Sequence, residues 1–209
     1  MTNPDSTNKI QAVAPLKEAK TRKQSIYEAA VQLFRDKGYP ASTMRDLADR
    51  VGLKQASSLY NHVKSKEEIL QNICFATAQK FVDGMKAIEV AEDSITEKIQ
   101  QLIRLHVRIA TEDLTSVTVF NDEWRYLSEP HLTSFLKLRR DYEERFKSLI
   151  ELGIQQGLFK DMEATIVLYS MLSSVRWLHH WYRPDREVYP DGLAQTIATL
   201  LLEGLNKND

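Results

Sequence analysis

The chain has 209 residues, of which 43% are apolar and 27% are charged, a composition typical of globular proteins. Glycine and proline are scarce, with 7 and 6 residues, and no stretch alternates apolar and polar residues as a half-buried strand does. We therefore predict an all-α fold in which long helices are joined by short turns. The single cysteine, Cys74, excludes an intrachain disulfide framework and a cysteine-based zinc site.

The net charge of −1 is unevenly distributed along the chain. Residues 16–66 contain eleven basic and five acidic residues, whereas residues 67–209 contain sixteen basic and twenty-three acidic residues. A basic first part followed by an acidic second part indicates that only the first part meets a polyanion.

The first sixteen residues are polar and are expected to form a disordered tail. They contain no apolar run behind a basic start, so we expect no signal peptide. No apolar stretch of the chain is long enough to span a membrane. A cytoplasmic location without a membrane partner is therefore expected.

The basic part carries the signals of three helices. An apolar stripe with helical spacing predicts a first helix over residues 17–37, which Gly38 ends. A capping box at Thr43 opens a second helix, which is short because Gly52 stops it. Another capping box, at Ser65, opens a long third helix.

Two short helices around a glycine-containing turn, braced by a longer helix in front, form a helix-turn-helix. The helical segment after Gly52 turns Leu59 toward a small core and presents polar side chains on its other face. Such side chains can bind base edges and phosphates in the major groove of DNA. We therefore predict a helix-turn-helix DNA-binding domain over residues 17–66 and a second domain over residues 67–209.

Four segments of this region resemble the TetR family of transcriptional regulators, namely residues 43–48 (TMRDLA), 51–53 (VGL), 59–63 (LYNHV) and 64–70 (KSKEEIL). The family usually has five residues between the turn glycine and the Leu-Tyr pair, whereas six intervene here. The first residue of the recognition helix is therefore open by one position. The resemblance implies a homodimer whose residues 67–209 bind a ligand and form the dimer.

The resemblance also implies DNA contacts for particular residues. Phosphate contacts are expected from Thr43, Tyr60 and Lys66, since hydroxyls and ammonium groups near helix N-termini suit that role. The expected base contacts, with His62 on the same face, are Lys54, Gln55, Ser57, Ser58 and Asn61. Tyr60 and His62 could instead pack against the following helix.

The second part carries aromatic residues on three predicted helices, over residues 95–110, over residues 117–127, and after Pro130 as far as Gly157. Aromatic residues usually fill a core, but in a helical bundle they can also line an apolar cavity with a few polar groups. The residues predicted to line such a ligand pocket are His106, Phe120, Trp124, Leu138, Tyr142 and Trp177.

Residues 163–182 are apolar on nearly every side of a helix, so this helix must be covered all round. Together with a last helix over residues 193–205 it would form a two-fold interface of four helices. The resemblance implies dimerisation through these last two helices, and burial within the same chain is the alternative.

Residues 123–125 and 181–184 are similar to those of family members that respond to acyl-CoA thioesters. This similarity implies a small apolar effector, for which an acyl-CoA is a candidate. Arg139, Arg140 and Arg176 could bind a CoA phosphate, or each could lie on a solvated surface.

Neighbouring residues on a helix point about 100° apart, so His179 and His180 are not expected to bind a metal ion together. No nucleophile elbow, phosphate-binding loop or acid–base pair is present, and we expect neither an enzyme nor a cofactor. The sequence predicts a homodimeric repressor that binds a pseudo-palindromic operator in double-stranded DNA and is released by its effector. A helical small-molecule-binding protein with a vestigial DNA-binding head is the alternative.

Overall fold

The computed structural model describes residues 21–185 and 189–205 of the chain. Within those ranges the chain is helical and contains no β-strand, which confirms the all-α prediction. The α-helices are α1 (Arg22–Lys37), α2 (Met44–Arg50), α3 (Lys66–Val90), α4 (Ile95–Glu112), α5 (Leu114–Asp122), α6 (His131–Gln155), α7 (Ala164–Arg176), α8 (Leu178–Trp181) and α9 (Pro190–Leu205). Two 3₁₀ helices cover Ala56–Asn61 and Trp124–Tyr126.

The predicted tail, residues 1–16, lies outside the described residues. Across the described ranges, every helix is either too short or too polar to cross a lipid bilayer. We call residues 21–65 the head and residues 95–205 the body; α3 connects the two.

The first helix begins at Arg22, with Thr21 as its N-cap, and the predicted residues 17–20 lie outside the described residues. The Thr21 hydroxyl accepts a hydrogen bond from the Gln24 N–H at 3.2 Å, and the Gln24 side chain accepts one from the Thr21 N–H at 2.8 Å. These two bonds form a capping box that satisfies N–H groups left free at the helix start. Gly38 ends the helix as predicted.

The second helix opens with the predicted capping box. The Thr43 hydroxyl accepts from the Asp46 N–H at 3.1 Å, and the Asp46 carboxylate accepts from the Thr43 N–H at 2.8 Å. After Arg50 the chain turns at Gly52, whose φ of +71° lies in the left-handed region that favours glycine. The capping box and the glycine turn, from which the helix-turn-helix was predicted, are therefore both observed.

The segment after this turn is the 3₁₀ helix Ala56–Asn61 rather than an α-helix, with Gln55 as its N-cap. The start of the recognition element, which the sequence left open, is thus Ala56. Leu59 is fully buried in the head core with Phe34 and Leu47, as predicted.

The third helix crosses from the head into the body, so the predicted domain boundary after residue 66 falls in its first turn. Leu70 belongs to the head core, whereas Met85, further along the same helix, belongs to the body core. Val119 and Phe135 of the body also pack into the head core. Head and body therefore share a packed junction.

The body is arranged around α4, which contacts α3, α5, α6, α7, α8 and α9. Two predicted helices differ from those observed. The helix predicted over residues 117–127 is observed as α5, which begins earlier because Asp113 is its N-cap. A 3₁₀ turn follows α5. The helix predicted over residues 163–182 is divided into α7 and α8, with the break at Trp177.

Candidate nucleic-acid surface and effector pocket

The recognition segment, residues 54–62, presents polar side chains to solvent. The exposed members of the predicted DNA-binding set in this segment are Lys54, Gln55, Ser57, Tyr60, Asn61 and His62, and Ser58 is half-buried. Tyr60 is 56% exposed and His62 is also exposed, so neither side chain is buried against α3. This surface offers hydroxyl, amide, imidazole and ammonium groups, which are the donors and acceptors that read base edges and phosphates.

Thr43 at the start of α2 is already engaged in its own capping box. Its hydroxyl donates to Asp46 Oδ2 at 2.7 Å, and the same carboxylate oxygen accepts from Lys37 Nζ at 2.9 Å. The Lys37 ammonium, followed by the bonds from Thr43, lowers the pKa of the Asp46 carboxyl to about 2. The predicted phosphate contact of Thr43 stays a prediction, since a phosphate oxygen only accepts and this hydroxyl would have to turn its single hydrogen away from Asp46.

Lys66, the first residue of α3, is bonded within the head. Its ammonium donates to the backbone carbonyls of Tyr39 at 2.8 Å and Ser42 at 2.9 Å, and it lies 4.2 Å from the centre of the Tyr39 ring. Burial lowers the pKa of this group below its ordinary value. Lys66 therefore holds the turn between α1 and α2, and the phosphate contact expected for it stays a prediction.

A junction between head and body lies beside this turn. The Tyr39 ring stacks on Tyr126 with 5.7 Å between ring centres, and Ser128 donates a hydrogen bond to Glu67. The Glu123 carboxylate lies against the Gly38–Tyr39 backbone. Burial raises the pKa of Glu123 above its ordinary value, although the Tyr39 N–H opposes this shift. Residues 123–128, directly after α5, thus connect the body to the head.

A small cavity of about 40 Å³ lies between the helices of the body. Four of the six predicted pocket residues line it, namely His106, Phe120, Leu138 and Tyr142. The lining residues that were not predicted are Ala78, Phe81, Ala110, Val117, Asn121, Phe135, Arg139, Val175 and Arg176. Most of the wall is apolar, so the cavity suits an apolar group that enters among these helices.

One polar pair lies inside this apolar wall. The His106 Nε2 atom is 2.9 Å from the Tyr142 hydroxyl, and both side chains are buried. Burial, assisted by the charge of Arg176, lowers the pKa of His106 to about 3, so the imidazole is neutral at physiological pH. Burial also raises the pKa of the Tyr142 hydroxyl. The pair is a neutral hydrogen-bonding group that can orient one polar atom of a ligand.

Two arginines at the cavity share one carboxylate. Arg139 Nε lies 3.2 Å and Arg176 Nη2 lies 2.8 Å from Glu143 Oε1, and the Tyr169 hydroxyl donates to Glu143 Oε2 at 3.2 Å. Burial alone would raise the pKa of Glu143, but the two arginines lower it below its ordinary value. Arg139 and Arg176 are therefore not simple solvated groups, whereas Arg140 is exposed.

Two of the predicted pocket residues lie elsewhere, which corrects the prediction. Trp124 lies outside the cavity wall, where it stacks on Phe135 at 6.1 Å and lies between Arg125 and Arg139. Trp177 is 61% exposed, because it lies at the break between α7 and α8 and faces outward. Phe81 and Phe135 line the cavity instead.

The last helices bury one face and leave another apolar face exposed. On α7, Val167, Leu168, Met171 and Leu172 are buried in the body core. The large apolar side chains exposed on α7, α8 and α9 are Ile166, Tyr169, Trp177, Trp181 and Leu200. The alternative that these last helices are wholly buried within their own chain is therefore not observed. We call these five residues the apolar face.

Asp122, His179 and His180 have ligand atoms that all lie within 4.8 Å of one another. The sequence predicted that these adjacent histidines point about 100° apart, whereas their side chains lie close together. Their ring centres are 4.1 Å apart, because α8 is a separate single turn rather than part of a long helix.

Comparison with known proteins adds to this geometry. The family profile described as "Tetracyclin repressor-like, C-terminal domain" matches residues 92–205, and the profile "Bacterial regulatory proteins, tetR family" matches residues 26–73. The transcriptional repressor KstR2 of Rhodococcus jostii is 25% identical over 190 residues, covering 88% of this chain and 91% of that protein.

Two solved structures illustrate the similarity in fold. The regulator PfmR from Thermus thermophilus has a TM-score of 0.76 and 30% identity, covering 91% of this chain and 100% of that chain. AibR in complex with isovaleryl coenzyme A and operator DNA has a TM-score of 0.75 and 21% identity, covering 86% and 97%.

Proposed function

This chain belongs to the TetR family of bacterial regulatory proteins, and from that membership we propose that it is a ligand-responsive transcriptional repressor acting as a homodimer. The observation that carries the proposal is the recognition segment. It follows a capped α2 and a glycine turn, buries Leu59, and leaves polar groups such as Gln55, Tyr60 and Asn61 exposed. This arrangement suits insertion into a major groove.

The apolar face supports the homodimer. Ile166, Tyr169 and Trp177 are exposed at helical spacing along one side of α7, and exposed apolar patches mark a surface that a partner covers. A second copy of the chain, related by a two-fold axis, would cover the same face and form a four-helix interface from α7, α8 and α9 of each copy. The two recognition segments would then lie about 34 Å apart and read a pseudo-palindromic operator.

The body supports a small, mostly apolar effector, and we take an acyl-CoA as the candidate. The apolar wall accepts an acyl chain, the His106–Tyr142 pair can bond a thioester oxygen, and Arg176 can bind an anionic group. The structure of the related AibR contains isovaleryl coenzyme A, a CoA thioester, which supports this choice.

A route from effector to DNA runs through α5. Because the cavity holds only about 40 Å³, an acyl group must push the surrounding helices apart. Phe120 and Asn121 of α5 line the cavity, and Glu123 directly after α5 contacts the head. An effector that binds the widened body better shifts the population toward heads set for weaker operator binding.

The test is a titration of the full chain against the DNA upstream of its own gene, followed by fluorescence anisotropy. We expect tight binding at low salt, release on addition of an acyl-CoA, and weaker release by the matching free fatty acid. Equal release by both compounds would contradict the CoA requirement. Binding of acyl-CoA without any DNA binding would favour the small-molecule-binding protein with a vestigial head.

A further inference from the structure

Asp122 is the last residue of α5, and His179 and His180 lie in the single turn of α8. Their three candidate ligand atoms lie within 4.8 Å of one another. The cluster lies outside the cavity wall and outside the recognition segment, so the function proposed above does not use it.

The hydrogen bonds of His179 define which nitrogen carries its proton. His179 Nδ1 lies 2.6 Å from the Arg176 carbonyl oxygen, and a carbonyl oxygen can only accept, so Nδ1 carries a hydrogen. The Asn121 amide nitrogen lies 3.4 Å from the same atom, but both groups are donors in this tautomer, so the shorter bond to the carbonyl determines the proton's position. In the neutral ring the lone pair is then on Nε2, which faces Asp122 Oδ1 at 3.3 Å. Two acceptors that face each other require a cation between them or a proton on Nε2.

An imidazole with one nitrogen bonded to a backbone carbonyl and the other free has the arrangement of a metal-bound histidine. The His179 side chain is only 4% exposed, so packing fixes the ring in this orientation. Asp122 and His180 are exposed, so their side chains can turn toward a shared ion, and the His180 ring would then leave its 3.8 Å contact with the Trp177 ring. One rigid ligand beside two adjustable ligands is a site that a metal ion can complete.

We propose that Asp122, His179 and His180 bind a divalent transition-metal ion such as Zn²⁺. Two imidazole nitrogens and one carboxylate oxygen, with water in the remaining position, form a donor set that zinc accepts. Imidazole ligands favour Zn²⁺, Ni²⁺ and Co²⁺ over Mg²⁺ and Ca²⁺, which prefer oxygen ligands. The bound ion would fasten α8 to the end of α5, between the exposed Trp177 and the junction residue Glu123.

The experiment uses the tag-free full chain, stripped with a chelator and titrated with Zn²⁺ by calorimetry and with Co²⁺ by visible absorption. We expect one ion per chain, d–d bands of a four- or five-coordinate cobalt ion, and no saturable binding of Mg²⁺ or Ca²⁺. Asp122→Asn and His180→Ala should each weaken binding at least about tenfold, and His179→Ala should abolish it. His62→Ala removes an exposed histidine elsewhere and should leave the metal stoichiometry and affinity unchanged.

No saturable uptake of Zn²⁺ or Co²⁺ would overturn the proposal and would mean that a proton on Nε2 satisfies Asp122. Binding that is equally tight in the wild type, Asp122→Asn and His180→Ala would overturn it as well. Because both of these residues are exposed, their variants keep the test decisive even if His179→Ala fails to fold.

Discussion

The head and the body both expose side chains that could bind a partner, but the two exposed surfaces differ in chemistry. The recognition segment exposes polar groups such as Gln55 and Asn61, whereas the apolar face of the body exposes Ile166 and Leu200 at 64% and 66%. Polar groups are well solvated without a partner, but large apolar side chains exposed to water are unfavourable. The head is therefore suited to a partner that can leave, and the body to a partner that stays.

If the apolar face forms a lasting dimer interface, it should not tolerate a charged side chain. Ile166→Glu would place a carboxylate at the interface that we propose, and an unpaired buried charge costs about 3–5 kcal/mol. We expect the variant to be monomeric by analytical ultracentrifugation. Its operator affinity should fall by more than about a hundredfold, because a single head gains only one half-site.

Val90 provides the matched control, since it is 83% exposed at the end of α3, outside the apolar face. Val90→Glu should remain a dimer with the DNA affinity of the wild type. A dimeric Ile166→Glu with unchanged DNA binding would mean that the apolar face is not the dimer interface.

A second prediction sharpens the comparison by contrasting the buried polar pair of the body with the exposed polar groups of the head. Burial lowers the pKa of His106 from 6.5 to about 3. The folded chain thus binds this proton less tightly than the unfolded chain does, and stability is lost as the pH falls below 6.5. Between about pH 7 and about pH 5 we expect this residue to lower the free energy of unfolding by about 2 kcal/mol.

Urea unfolding of the wild type and His106→Gln at both pH values measures this contribution. Glutamine can still bond the Tyr142 hydroxyl but does not titrate, so the variant should lose about 2 kcal/mol less than the wild type over this range. Identical pH dependence in the two proteins would show that His106 does not stay neutral and buried.

A third prediction concerns the arginines at the cavity. Arg176→Gln should raise the acyl-CoA concentration needed for half-release of DNA by about tenfold, because a charge-assisted bond to the anionic group is lost. Arg140→Gln changes an exposed arginine on α6 that does not line the cavity, and it should respond as the wild type does. Similar responses of the two variants in the anisotropy titration would exclude Arg176 from effector binding.

The sequence predicted those features that local spacing determines. The capping box at Thr43 and the turn at Gly52 depend on residues only a few positions apart, and both are observed. His106 and Tyr142 lie on helical stripes that the sequence shows directly, and both line the cavity. The expectation that the chain dimerises through its last two helices came from the family resemblance.

The sequence failed where a long side chain reaches across the fold or a helix breaks. Lys66 bonds the carbonyl of Tyr39, 27 positions earlier, and Arg176 pairs with Glu143, 33 positions earlier. Residue spacing contains no information about such contacts. Trp177 was misplaced because the continuous apolar pattern of residues 163–182 concealed the end of α7.

The last and smallest effect separates two lysines of the same head. Lys54 is exposed in the recognition segment, whereas Lys66 is bonded to two carbonyl groups. Lys54→Ala should therefore lower the slope of log Kd against log salt concentration by about two units, because each operator-bound dimer loses two lysines. Lys66→Ala should leave that slope unchanged and lower the free energy of unfolding by about 1–2 kcal/mol, because the Tyr39 and Ser42 carbonyls each lose the bond from the lysine. Anisotropy at several salt concentrations and urea unfolding decide between these roles. A flatter slope for Lys66→Ala with unchanged stability would identify Lys66 as a phosphate contact.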